Sequence, residues 1–341
     1  MFMLFNGSIS AQVQRSPDEI TRVHTRVVFV DTLVRDKRTG VPVGDLKRED
    51  FEILADGRPR VISYFTRGGS EPNKPLALAL VLAPIDDDAR NFLRSQPFVK
   101  AVSDSLRRLA PGDEVAVIFS RWGGLVPPRI LTDFTRDRAQ AAAAIESLPD
   151  FSPSKLAQGD AGVVHDEALA QTLLSVFGRR PDSRAVVIMI TDSIFQMTAA
   201  ERAEMASGLS RRSVTFNALT TGTDKFFLLS YPILKPAGNV LGLSLYGVPR
   251  YLAEQTGGEE LRMRKTEDLG IAIEQVISSI SARYGLGFDL TADELDDGRM
   301  HPLKVKVTAR DARGKSRKLK VFARRGYYVP AVDANEASVA K

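Results

Sequence analysis

The segment Leu76–Ala83 reads LALALVLA, eight apolar residues with no polar break. A strand exposed on one face alternates apolar and polar residues, so an uninterrupted run marks a strand covered on both faces. Three more runs follow, at Val115–Phe119, Ala185–Ile190 and Val214–Leu219. Helical patterns fall between and after them. Ala89–Leu109 spaces Phe92, Leu93, Phe98, Val99, Val102 and Leu106 as one helix would, and Pro97 is expected to kink or split it. Arg136–Leu148, Val164–Phe177, a helix opened by the capping box Thr198–Glu201, Arg250–Gln255, and Glu267–Arg283 with Thr266 as its cap continue the alternation. Such alternation predicts an α/β unit with a doubly wound, mostly parallel sheet and right-handed crossovers.

The flanks read differently. Over residues 21–66, short runs at Val27–Val30, Asp50–Leu54 and Val61–Phe65 are joined by turn clusters at 36–40 and 55–57, which predicts antiparallel hairpins. After Tyr284, the runs Gly285–Leu290, Leu303–Ala309 and Leu319–Ala323 alternate. Val305, Val307, Leu319 and Val321 take one face, and Lys304, Lys306, Lys318 and Lys320 the other. Neither flank alone can bury a face. The expected assembly is a β-sandwich built from residues 21–66 plus 285–330, with the α/β unit, residues 75–284, inserted between them. Residues 66–75 read as a linker rich in Gly, Ser, Pro and charge. Residues 1–20 read as a tail or the remnant of a signal peptide ending near Ala11, and 331–341 as a loose tail. An extracytoplasmic location is the expectation, with a cytoplasmic one left open by the incomplete leader.

Composition removes several chemistries. The chain has 341 residues and no cysteine, which excludes disulfides, thiolate-held zinc, iron–sulfur clusters and a thiol nucleophile. Its three histidines, His24, His165 and His301, are scattered, which argues against a multi-histidine metal centre. No apolar run approaches the roughly 20 residues that a membrane-crossing helix needs. Gly314-Lys315-Ser316 lacks the first glycine and the strand–helix setting of a phosphate loop, and Gly285-Leu286-Gly287 lacks the third glycine of a dinucleotide fingerprint. His165-Asp166-Glu167 are adjacent and so point apart. Charge is uneven. Residues 299–328 hold eleven Lys/Arg and one acid, a net +10 in a chain whose total is +5. A solvated edge face explains this; an anionic surface or polysaccharide is the sharper alternative. Nucleic acid is not expected, because no stacking aromatics accompany the charge.

Several segments resemble the von Willebrand factor type A fold, in the group of VWFA-related Acidobacterial domain proteins. They are Gly44–Ile53 with Asp56–Pro59, Pro111–Val117 (PGDEVAV), Leu252–Gly258 (LAEQTGG), Ala282–Phe288 (ARYGLGF) and Ala323–Pro330 (ARRGYYVP). Their order and spacing cover about residues 25–330.

The resemblance implies partner capture, often at a metal-ion-dependent adhesion site. Such a site takes a D-x-S-x-S loop after the first buried strand, a Thr in a second loop and an Asp in a third, and holds Mg²⁺ through hard oxygens. Here Ala83 stands at the first Asp, both serines are missing, and no Thr matches near 159–162; Asp192 matches the third loop. Asp86 and Asp88 are candidate substitute ligands beside Asp192, although as acids at a helix start they need no ion. The expectation is a non-catalytic adhesion or scaffold module with a degenerate site, no firm cofactor beyond a weak divalent cation such as Mg²⁺, and a protein partner. Asp87, Ser193, Phe226, Phe227, Lys318 and Lys320 are the candidate partner-binding residues. Phe226 and Phe227 belong to an apolar insertion at 223–246 that forms either a partner surface or a hairpin over the α/β unit. The alternative is a ligand binder or enzyme that uses the strand ends of the α/β unit.

Overall fold

The computed structural model describes residues 26–68, 74–83, 93–120, 128–148, 167–191, 194–220, 243–263 and 268–329. Strands are β1 Val27–Asp36, β2 Phe51–Ala55, β3 Arg58–Arg60, β4 Tyr64–Arg67, β5 Leu76–Ala83, β6 Glu114–Phe119, β7 Arg129–Thr135, β8 Arg184–Thr191, β9 Ile194–Thr198, β10 Thr215–Thr220, β11 Leu243–Tyr246, β12 Glu260–Arg262, β13 Tyr284–Asp289, β14 His301–Val307, β15 Leu319–Phe322 and β16 Gly326–Tyr327. Helices are α1 Gln96–Leu106, α2 Arg138–Glu146, α3 Glu167–Gly178, α4 Ala199–Arg211, α5 Val248–Thr256 and α6 Leu269–Ser281. None is long and apolar enough to cross a membrane.

The central sheet has the order β12-β10-β8-β5-β6-β7. All neighbours are parallel except β7, which runs antiparallel to β6. The strand order reverses at β5, which lies between β6 and β8. The expected doubly wound, mostly parallel sheet is therefore present. All eight residues of β5 are at most 2% exposed. Leu76, Leu78, Leu80 and Leu82 enter a core shared with α1, α2 and α6. Ala77, Ala79, Val81 and Ala83 enter a second core with α3, α4 and α5. Small side chains on that side let the helices approach closely, while each leucine buried on the other contributes about 1.5–3 kcal/mol. Asp113, from the PGDEVAV segment, fastens the start of β5: its carboxylate accepts from Leu76 N at 2.8 Å and Ala110 N at 2.9 Å.

Local signals account for the helix starts. Thr198 caps α4 and Glu201 returns the bond, forming the expected capping box. Pro97 sits in the first turn of α1, where its missing N–H costs nothing, and Ser95 is the cap; helix at residue 93 breaks at 94–95 before α1, and residues 89–92 of the expected helix lie outside the described residues. Thr266 lies outside the described residues, and α6 opens at Leu269 after Asp268.

The flanking strands form two four-stranded antiparallel sheets, β15-β1-β13-β4 and β16-β14-β2-β3, around one apolar core. Phe51, Phe65 and Tyr284 pack ring on ring inside it. The Tyr284 hydroxyl donates to Val43 O at 2.8 Å and accepts from Leu46 N at 3.0 Å, which satisfies a buried phenol. The hairpin from β2 to β3 turns on Asp56 and Gly57, with φ of 52° and 75°. The run Val61–Phe65 is not one strand. The chain leaves one sheet at Arg60 and enters the other at Tyr64.

The α/β unit leaves the sandwich from β4 and returns into β13, and these two strands pair, Gly285 with Thr66 and Gly287 with Tyr64. Both ends of the unit thus start from one place, which a sandwich tolerates without opening its core. A polar seam joins the two parts. Arg35 of β1 makes a two-pronged ion pair with Glu259, at 2.6 and 2.9 Å, and the residues are 8% and 1% exposed. Arg283 Nη1 donates to Gly257 O at 2.9 Å, and Arg325 N donates to Gln255 O at 3.0 Å. The LAEQTGG, ARYGLGF and ARRGYYVP segments meet here.

One expectation about charge is corrected. β14 and β15 each alternate as read, but they belong to different sheets. Lys304 and Lys306 lie on the outer side of one sheet, where Lys306 pairs with Glu52 at 3.1 Å. Lys320 lies opposite Arg35, on the side that β1 turns toward the α/β unit, and exposed Lys318 precedes it by two residues. The +10 segment is therefore divided between two faces of the sandwich and makes no single basic patch.

Candidate functional site

Ligands of doubly wound sheets bind beyond the carboxyl ends of the strands, where the strand order reverses. Here that place is the end of β5 beside β8. Register sets the side chains there in a row: Ala83 lies opposite Thr191, and Thr191 opposite Thr220. Ser120 follows β6 with its N–H on Leu82 O at 2.9 Å. Ser120, Ala83, Thr191 and Thr220 are at most 3% exposed. Odd-numbered β5 residues face the core under α3, α4 and α5, so Ala83 and the threonines level with it share that face. Among the described residues Thr220 Oγ1 has no hydrogen-bond partner. The row offers three hydroxyls and one methyl group.

Of the residues expected to bind, Asp86, Asp87, Asp88, Asp192, Ser193, Phe226 and Phe227 lie outside the described residues. Each belongs to a segment that follows the carboxyl end of β5, β8 or β10. Most of the 223–246 insertion also lies outside them; its last residues form β11, which pairs antiparallel with β9. Lys318 and Lys320 are described and stand on the sandwich, on a different element from the strand ends. Sequence reasoning did not single out Ser120, Thr191 and Thr220. The available signal was simple: each is the first polar residue after, or at the end of, a buried apolar run. Among the described residues no group of three His, Cys, Asp or Glu is arranged to hold a metal ion.

A second cluster of titratable groups lies on the sandwich. His301 Nδ1 is 3.0 Å from Asp56 Oδ2, and Nε2 is 3.2 Å from Asp297 Oδ1. The Arg299 backbone N–H, then its side chain, holds the Asp297 carboxyl at about 2. Partial burial opposes charge on His301, but the two carboxylates outweigh it and raise its pKa. Its ring partners are two carboxylates and the Tyr327 ring, so it acts as a clamp between the 55–57 turn and the start of β14. A group whose pKa is raised by folding adds stability that is complete below its unfolded value and lost as pH rises through the folded one. The wild type should therefore lose a small increment of stability as pH rises above the ordinary histidine value and through the raised one, an increment that His301→Gln does not lose. Paired melting curves check this, and identical pH dependence in the two proteins would remove the clamp.

No family model matches the chain, and no curated protein matches it in sequence. Solved structures do show similarity. BatB from Bacteroides thetaiotaomicron, described as a conserved hypothetical protein, is 18% identical with a TM-score of 0.40, covering 60% of this chain and 98% of its own. A von Willebrand factor type A protein from Catenulispora acidiphila is 12% identical with a TM-score of 0.42, covering 85% and 75%. Proximal thread matrix protein 1 from the mussel byssus, solved with a zinc-occupied MIDAS motif, is 14% identical with a TM-score of 0.43, covering 67% and 50%. Among the described residues of the 76–281 unit, one antiparallel edge strand flanks an otherwise parallel, doubly wound sheet with three helices on each face, the architecture that the resemblance to the von Willebrand factor type A fold implied.

Proposed function

We propose that the protein is a non-catalytic interaction module whose carboxyl-edge loops capture a protein partner without a resident divalent cation. The row Ser120–Ala83–Thr191–Thr220 carries this reading. It stands at the switch point, is closed to solvent and contains no carboxylate. Mg²⁺ gives up its water reluctantly and is held through carboxylates. Neutral hydroxyls do not supply that charge, and the Ala83 methyl offers no oxygen where the fold's first ligand would stand. On this reading Asp87, Ser193, Phe226 and Phe227 contact the partner, while Asp86, Asp88 and Asp192 serve the local chain and not an ion.

Mg²⁺, Mn²⁺ and Ca²⁺ should each leave the melting temperature unchanged. An ion present at about 100 times its Kd would add about 2.7 kcal/mol, a shift that is easily seen. Capture of a partner from an envelope fraction should survive EDTA and fail when Phe226 and Phe227 are both replaced by Ser. A cation-dependent melting shift, or capture lost in EDTA, would restore the metal-dependent reading.

A further inference from the structure

Beneath the α/β unit, at the edge opposite the strand carboxyl ends, a cleft of about 660 Å³ separates it from β1 and the chain after β15. The carboxyl ends of α3, α4 and α6 reach it, together with the starts of β8 and β10. Helix carboxyl ends carry partial negative charge and attract cations. The lining answers with seven Lys/Arg against only Asp31 and Asp296. Several of these cations are spent on carbonyls: Arg184 donates to Lys74 O at 3.2 Å and Gly68 O at 3.3 Å, and Arg211 donates to Gly298 O at 2.6 Å.

Two guanidinium groups keep capacity in reserve. Arg283 is 4% exposed and uses Nη1 on Gly257 O, but its buried Nη2 has no hydrogen-bond partner. Arg324 uses Nη2 on Phe29 O, but its buried Nε has none. Burial lowers the pKa of both, that of Arg324 to about 10, and a guanidinium keeps its proton in a protein. Asp31 is the acid that acts on both. Glu259 also acts on Arg283 but is already paired with Arg35, so the shared Asp31 leaves an excess positive charge. A buried charged N–H without an acceptor is costly, and in a native protein it marks the place of an acceptor. A tetrahedral oxyanion suits guanidinium donors, which bind phosphate in forks, and the cleft has the size of a small-molecule site.

We propose that this cleft is a binding site for a small phosphate-bearing anion, held by Arg283 and Arg324 with Arg212 at its rim. It is independent of partner capture at the opposite edge. Free phosphate and a phosphomonoester share the chemistry, and the cleft volume favours the larger ligand.

The test is calorimetry on the whole chain with inorganic phosphate and, separately, AMP, at ionic strength matched with chloride. Saturable binding is expected, tighter for AMP. Arg324→Gln and Arg212→Glu should each weaken it by about tenfold or more, because a charged hydrogen bond is lost or the charge is reversed. Lys304→Glu, on the outer side of the other sheet, should leave it unchanged. Phosphate binding as tight as that of AMP would assign the site to the free ion. Absence of saturable binding to the folded wild type, or equal weakening by Lys304→Glu, would overturn the site. If Arg324→Gln fails to fold, Arg212→Glu decides the matter alone, since Arg212 is exposed and its side chain forms no hydrogen bond or ion pair among the described residues.

Discussion

Glu259→Gln should destabilise the protein by about 3–5 kcal/mol, the cost of removing one partner from a buried ion pair. Glu259 is 1% exposed and Arg35 8%. Both guanidinium bonds from Arg35 to Glu259 are short, at 2.6 and 2.9 Å, and a third runs to Gly40 O at 2.7 Å. The neutral amide keeps the shape but leaves the Arg35 charge without its counterion, in a place that water does not reach. Urea unfolding of the two proteins measures the difference. The double replacement Arg35→Met with Glu259→Leu should recover most of the loss, because burying an ion pair is itself expensive and apolar side chains of similar volume often replace it at little cost. The cycle would then show a strong, favourable coupling between the two positions. A single replacement costing less than about 1 kcal/mol would mean that water enters the seam and screens Arg35.

This pair also shows what the sequence conceals. The sheet was legible because each signal was local. Leu76–Ala83 announces burial on both faces, Thr198 and Glu201 announce a cap, and Asp56-Gly57 announces a hairpin. Strand β7 was not read, because an edge strand such as RILTDFT carries polar residues and buries only Thr132 and Phe134 fully. Strand β12 has three residues and no pattern to read. The lysines were read as one face because alternation tells which residues of a strand share a side, not which sheet the strand joins; β14 chooses β2 and β15 chooses β1 through contacts about 250 to 290 residues apart. Arg35, Arg283 and Glu259 look like ordinary surface charges in the sequence. Only the packing of the two units makes them buried. At the carboxyl edge the methyl of Ala83 was legible as a missing ligand, while the row it forms with Ser120, Thr191 and Thr220 needed the register of four strands.

Gly258→Ala should be the more damaging change at the same seam. A Cβ built on Gly258 would overlap the Phe216 carbonyl oxygen and lie 2.7 Å from Phe216 C and 2.9 Å from Asn217 Oδ1. Two of these contacts are backbone of the fully buried Phe216 in β10 and cannot swing aside as a side-chain tip can. The chain at 257–259 must therefore retreat. Retreat breaks the bonds that hold it: Gly258 N to Ala253 O at 2.8 Å, Glu259 N to Asn217 Oδ1 at 3.0 Å and Ala218 N to Glu259 O at 2.9 Å. It also withdraws Glu259 from Arg35. Overpacking alone costs about 1–3 kcal/mol, and with the ion pair disturbed the total should exceed about 4 kcal/mol, the range reserved for named structural faults. Gly44→Ala is the control: nothing lies within 4 Å of its Cβ position, and the change should stay within about 0.5 kcal/mol. Because Gly258→Ala and Glu259→Gln damage one seam, their combination should cost less than the sum of the two. Strict additivity would mean that the glycine serves β10 alone and that the ion pair is positioned by something else.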